Sequence, residues 1–327
     1  MSGDGGQAAE VARLRRMVED QGFALQAMQR QRDELLLHQR LGADATVEVV
    51  RFTGPPRAHE PNPTAQGAGN PLVIAAYVFL PRGLDPQARY PLIVLPHGGV
   101  HSNFGAGAAN IVRELVAQGY VVVAPDYRGS TGYGRAFYEA IDYGGREVDD
   151  TAAARQFALD TYPFLDPARV GIVGWSHGGM IALLDIFERP SAYAAAYAAV
   201  PVSDLVARMG YKGENYRGLF AAPYHLQKTA EENVAEYRRR SPSWQAHRYA
   251  GPPLLIHTTT NDEDVNVLEV ERLIQALKSE GKEFDYRIYQ DAPGGHVFNR
   301  IDTPQARESR REAYRFLAQH LRPARPV

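Results

Sequence analysis

Residues 174–179 read Gly-Trp-Ser-His-Gly-Gly, and few local structures can hold this hexapeptide. The β-branched run Val170-Gly171-Ile172-Val173 before it reads as a buried strand. Met180–Phe187 after it is apolar enough for a core-facing helix. A serine between such a strand and helix, flanked by glycines at both second neighbours, occupies a sharp and strained turn. Side chains at Gly174 or Gly178 would collide with adjacent backbone there. The turn pushes the hydroxyl of Ser176 out over the carboxyl edge of a sheet and aims the N–H of His177 at a developing oxyanion.

Charge and composition remove several alternatives. The formal net charge of −2 offers no basic field for nucleic acid. With no cysteine in the chain, disulfides, thiolate nucleophiles and thiolate–metal sites are excluded. The N-terminus shows no basic region followed by an apolar stretch, and no apolar run approaches the ~20 residues that span a bilayer. The expectation is a soluble, cytoplasmic protein with no membrane partner.

Residues 1–45 form a distinct region. Val11, Leu14, Val18, Gln21, Leu25, Met28, Arg32 and Leu35 fall on alternating steps of three and four, a heptad seam with polar interruptions at Gln21 and Arg32. Such a stripe is covered either by its own domain or by the same helix of a second subunit. The sustained 3.5-residue period favours the second, a homo-oligomer whose helix leaves the chemistry of Ser176 intact.

From residue 46 to 327 the pattern is that of one catalytic domain. Strands are expected near 47–52, 72–80, 92–95, 120–124, 170–174, 195–200, 254–257 and 284–289. Helices are expected near 106–118, 149–161, 177–187, 268–279 and 306–321. Opening hairpin-like strands followed by βα units give an α/β fold, a mostly parallel sheet covered by helices on both faces, of the α/β-hydrolase type. Residues 204–249 interrupt the alternation and read as a lid or cap segment. Its aromatics Tyr211, Tyr216, Phe220 and Tyr224 either line a substrate pocket or pack the cap onto the body. Trp175, Val265 and Phe298 are further pocket candidates.

A serine hydroxyl needs a general base oriented by a third group. Of the histidines after Ser176, His296 lies in a flexible loop between the last strand and the last helix, Ala292-Pro293-Gly294-Gly295-His296-Val297-Phe298, where such a base belongs. The loop after strand 254–257 offers Asp262, Glu263 and Asp264 as competing acids. Pro96-His97-Gly98-Gly99, after strand 92–95, offers the N–H of Gly99 as a second oxyanion donor.

Asp126-Tyr127-Arg128-Gly129-Ser130-Thr131-Gly132-Tyr133-Gly134 resembles a segment of the prolyl oligopeptidase family, most closely its acylaminoacyl-peptidase and dipeptidyl-peptidase branch. His97-Gly98-Gly99, Gly174–Gly179, Arg240-Ser241-Pro242, Asp262-x-x-Val265 and Gly295-His296-Val297-Phe298 resemble the same branch, in the same order, across residues 72–322. The resemblance implies Ser176 as nucleophile, Asp262 as orienter, His296 as base, and the N–H groups of His177 and Gly99 as the oxyanion hole. It implies a scaffold role for the turns at Gly129 and Gly132. Family peptidases carry an N-terminal β-propeller, and the stretch before Leu72 is too short for one. Thr258 stands where the family has glycine, and the acid loop is one residue longer. The resemblance therefore carries the chemistry and leaves an aminopeptidase specificity open.

The sequence thus reads as a serine hydrolase needing no metal or cofactor. It is expected to act on small carboxylic esters or short peptides and amides, with a lean to carboxylesterase because esters demand less of leaving-group protonation. An acylaminoacyl- or dipeptidyl-peptidase-like activity and a non-catalytic hydrolase-fold scaffold are the alternatives.

Overall fold

The computed structural model describes residues 4–327, and every strand and helix expected from periodicity appears in it, with ends shifted by a few residues. A long helix α1 (Asp4–Leu41) leads into β1 (Ala45–Gly54), β2 (Leu72–Pro81) and β3 (Tyr90–Val94). Then come α2 (Ala109–Gln118), β4 (Val121–Asp126), the short α3 (Arg135–Tyr138), α4 (Arg146–Thr161) and β5 (Leu165–Trp175). After α5 (His177–Glu188) and β6 (Ala195–Ala199), three short helices follow: α6 (Leu205–Tyr211), α7 (Glu214–Phe220) and α8 (Val234–Arg239). β7 (Leu254–Thr259), α9 (Val267–Ser279), β8 (Asp285–Tyr289) and α10 (Pro304–Leu321) complete the chain. No helix among the described residues is long and apolar enough to cross a membrane.

The eight strands lie in the order β1-β2-β4-β3-β5-β6-β7-β8. β1, β2 and β4 pair antiparallel, and from β4 through β8 all neighbours are parallel. The interior strands are continuous apolar runs because helices cover both faces. Alternate residues serve opposite layers: Val121 and Val123 pack with Val148, Ile172 and Met180, whereas Val122 and Ala124 pack with Val112, Leu115 and Leu317. The path from β3 to β4 runs one way and the path from β4 to β5 returns across β3. The carboxyl ends of β3 and β5 therefore flank a point where strand order reverses, where open α/β sheets leave a crevice for ligands.

The packing of two regions bears on the sequence reading. Residues 204–249 pack onto the body, because Leu205, Met209, Phe220, Leu226, Tyr237 and Tyr249 are buried in the core. For Phe220 the packing alternative holds. Helix α1 also packs on the body, through a face other than the seam. Leu37 and Leu41 are fully buried, Phe23 meets Tyr138 edge-on at 5.6 Å, and Arg30 lies over Tyr133 at 4.8 Å. At about 100° per residue, these body-facing positions lie on the opposite side of the helix from the heptad seam. The six apolar seam residues, Val11, Leu14, Val18, Leu25, Met28 and Leu35, are accordingly all exposed.

Candidate active site

Ser176 takes φ 58° and ψ −122°, a conformation that costs free energy for any residue with a Cβ. It persists because both sides are over-determined. The Ser176 N–H donates to the Ala199 carbonyl at 3.0 Å, and the Ser176 carbonyl accepts from Met180 at 3.0 Å. A Cβ on Gly174 would lie 2.0 Å from the Gly178 oxygen, and one on Gly178 would lie 2.3 Å from the Pro96 oxygen. The glycines thus let β5, α5 and the loop after β3 meet at the serine. The Ser176 hydroxyl does not cap α5 and stays available for chemistry.

His296 follows Gly294 and Gly295, at φ 98° and 49°, in the loop after β8. Its Nδ1 lies 2.8 Å and 3.0 Å from the two carboxylate oxygens of Asp262. Asp262 is fixed in turn, since Oδ1 accepts the N–H groups of Asp264 at 2.9 Å and Val265 at 2.8 Å. Asp264 reaches the other ring nitrogen. Its Oδ2 lies 3.4 Å from His296 Nε2, while Oδ1 is held by Lys212 and, at 3.3 Å, by Arg208. Of the acids left competing by the sequence, Asp262 meets the Nδ1 edge of the imidazole, and half-exposed Asp264 meets the Nε2 edge.

Ser176 and His296 line one cavity of about 580 Å³, together with Trp175, Gly98, Gly99, Asp264, Asp33 and Arg300. Gly98 approaches the serine closely, since a Cβ there would lie 3.4 Å from that of Ser176, and Gly99 has φ 79°. Among the described residues, no hydrogen bond uses the N–H of His177 or of Gly99. Two unpaired donors therefore remain beside the serine. The His177 ring turns inward, tilted against Tyr143 at 4.2 Å with Nε2 3.4 Å from Glu147. The ring takes no part in lining the cavity.

Buried polar groups brace the loop after β3. Tyr127 donates its hydroxyl hydrogen toward the carbonyls of His97 at 2.9 Å and Gly99 at 3.0 Å. Asp126 accepts from the Phe104 N–H and the Tyr133 hydroxyl, both at 2.6 Å. Burial pushes the Asp126 carboxyl up to about 7 and holds His97 down at about 3, so the imidazole is neutral. Arg128 serves the scaffold: it is fully buried, pairs with Asp150 at 2.7 Å and donates to the carbonyls of Pro55 and Pro56.

Of the pocket candidates, only Trp175 lines this cavity. Val265 and Phe298 are buried, Phe298 packing on Tyr289 at 5.1 Å. Phe220 is also core, and Tyr224 meets Tyr138 at a tilt of 58° with ring centroids 6.1 Å apart. Tyr211 and Tyr216 spend their hydroxyls on Arg208, at 3.0 Å and 2.8 Å. Apolar character alone made these residues candidates, and it does not separate a pocket wall from a core. Two charged lining residues escaped the sequence reading. Arg300, four residues beyond His296, carried a faint positional signal; Asp33, from α1, carried none.

The sequence profile of the prolyl oligopeptidase family matches residues 109–324. The chain is 30% identical over 241 residues to the uncharacterized peptidase YuxL of Bacillus subtilis, covering 73% of this chain and 36% of that protein. It is 31% identical over 222 residues to dipeptidyl peptidase 8 of Mus musculus, covering 65% and 24%. It thus spans well under half the length of these relatives. Among solved structures, a puromycin hydrolase superposes with a TM-score of 0.69 at 24% identity over 86% of this chain and 40% of that one. Acylaminoacyl peptidase from Pyrococcus horikoshii gives 0.67 at 20%, over 84% and 42%. These likenesses show the α/β-hydrolase catalytic-domain fold.

Proposed function

Because this chain belongs to the prolyl oligopeptidase family, we propose that it is a serine hydrolase of short peptides and small amides, acting through an acyl-enzyme. His296 Nε2 takes the proton of the Ser176 hydroxyl as the oxygen attacks the substrate carbonyl. Asp262 holds the proton on Nδ1 and stabilises the imidazolium that forms. The carbonyl oxygen, now negative, receives the N–H groups of His177 and Gly99. Collapse of the tetrahedral species breaks the bond to the leaving amine, which departs with the proton from Nε2. Water then enters by the same route and releases the acid. The observation that carries this reading is that His296, paired with Asp262 at 2.8 Å, lines the same cavity as the strained Ser176.

The relatives bear peptidase names, which supports peptide and amide bonds ahead of the ester lean of the sequence. Esters remain substrates by the same steps with an alcohol as leaving group. A fluorophosphonate probe tests the nucleophile: it should label the protein and fail on Ser176→Ala. Labelling that persists in that variant would sink the assignment. Parallel rates on p-nitrophenyl esters and on aminoacyl- and acylaminoacyl-p-nitroanilides rank the substrate classes.

The outward seam of α1 supports a second copy of this chain as its occupant. A 3.5-residue apolar period suits a facing helix with the same period, and the seam lies opposite the face already used by the body. Val18→Asp with Leu25→Asp, both at exposed positions, should halve the mass measured by light scattering. A parent that is already monomeric would remove this role.

A further inference from the structure

Arg300 sits in the wall of the cavity that holds Ser176, on a backbone fixed by its neighbours. Asn299 accepts from Trp175 Nε1 at 3.0 Å and donates to the Tyr197 hydroxyl at 2.9 Å. The Arg300 carbonyl accepts from Asn110 at 3.3 Å. The guanidinium itself is poorly served. Among the described residues its one hydrogen bond goes from a terminal nitrogen to the His296 carbonyl at 2.9 Å, and its Nε is sealed from solvent without an acceptor.

The four buried arginines among the described residues are treated differently. Arg128 is paired with Asp150, Arg208 with Glu269, Arg240 with Asp142, and Arg310 with Glu114. Arg300 has no carboxylate within 4.0 Å among the described residues, although burial works against its charge. Asp262 and Asp264 attract it through space, but Asp262 is committed to His296 and Asp264 to Lys212 and Arg208. Asp33, in the same cavity, pairs with its neighbour Arg32 at 3.2 Å. Arg300 is the sole arginine or lysine lining this cavity among the described residues. A half-desolvated, unpaired guanidinium is unfavourable by itself and a strong partner for an incoming carboxylate, which it can grip with two parallel hydrogen bonds.

We propose that Arg300 is a specificity-determining residue that binds a carboxylate of the substrate within the Ser176 cavity. The inference rests on the hydrolase reading for its consequence in catalysis, though not for the binding itself. Two substrate features supply that chemistry, the free C-terminus of a short peptide or an acidic group on the acyl portion.

Rates on di- and tripeptides as free acids against their C-terminal amides address the first source. Succinyl- against acetyl-capped aminoacyl-p-nitroanilides address the second. In one of the two pairs the carboxylate member should have a kcat/KM about 10–100-fold higher, the range for hydrogen bonds to a charged group. Arg300→Gln should bring that ratio close to one, and Arg300→Lys should restore part of it. A purely structural role would lower both members of a pair equally and leave the ratio intact, which overturns the proposal, as does a parent ratio near one in both pairs. Calorimetric titration of the Ser176→Ala protein with N-acetylalanine and with N-acetylalaninamide needs no chemistry. Binding of the acid alone, lost in Arg300→Gln, supports the site even if no substrate turns over; equal behaviour of the two ligands refutes it.

Discussion

Replacing Asp262 by asparagine separates orientation from mere proximity in this site. The asparagine oxygen can still accept the N–H groups of Asp264 and Val265, now bonded at 2.9 Å and 2.8 Å, so the loop should keep its shape. The pair with His296 Nδ1, at 2.8–3.0 Å, is what changes. An amide can donate to Nδ1, and the proton then settles on Nε2, the atom that must be free to accept from Ser176. Loss of the negative charge also removes the partner of the imidazolium. Together these should lower kcat by on the order of 10³–10⁴, equivalent to about 4–5.5 kcal/mol of barrier. Asp264→Asn removes a half-exposed carboxylate that already answers to Lys212 and Arg208, and should cost less than about 10-fold. Burst kinetics with p-nitrophenyl acetate measure acylation directly, and matched thermal melts guard against a folding defect. If Asp264→Asn proves equal to or worse than Asp262→Asn, the assignment of the orienting acid is wrong.

Other outcomes follow from the packing. Burial raises the folded-state pKa of Asp126 to about 7, against about 3.9 when unfolded, so the folded protein binds the proton more tightly. The stability from this group is fully present below the unfolded value and is lost as pH rises through about 7. Asp126→Asn should therefore gain on the order of 1–3 kcal/mol relative to the parent between pH 5 and pH 8, measured by urea unfolding; a pH-independent difference would contradict the shift. Gly178→Ala would put a methyl 2.3 Å from the Pro96 oxygen, and should cost about 1–3 kcal/mol and more than about 10-fold in activity by moving the loop of Gly98 and Gly99. Full activity in that variant would mean the elbow is looser than described. Deleting residues 1–41 removes the buried Leu37 and Leu41 and the cavity residue Asp33, and should lower Tm by roughly 6–20 °C. A truncated protein with unchanged Tm and rate would show α1 to be dispensable.

The elbow was legible in the sequence because its strain is local. A serine at positive φ needs glycines at fixed offsets, and strand and helix periodicity on either side place it without reference to the rest of the chain. The eight strands and the loop positions of Ser176 and His296 were legible for the same reason. Periodicity also identified the seam of α1, although only packing revealed that a different face of the helix meets the body. What the sequence left open depends on distances between residues far apart in the chain. Asp262 and Asp264 are two positions apart and chemically identical, and only the course of the loop past His296 gives one Nδ1 and the other Nε2. The order β4-β3-β5, which sets the crevice, follows from how strands pair across the sheet and from no single segment. Asp33 reaches the cavity because Leu37 and Leu41 dock α1 there, and Arg300 stands without an ion pair because Asp33, Asp262 and Asp264 already have partners. Local conformational preference is written residue by residue, whereas burial and charge pairing are properties of the assembled fold.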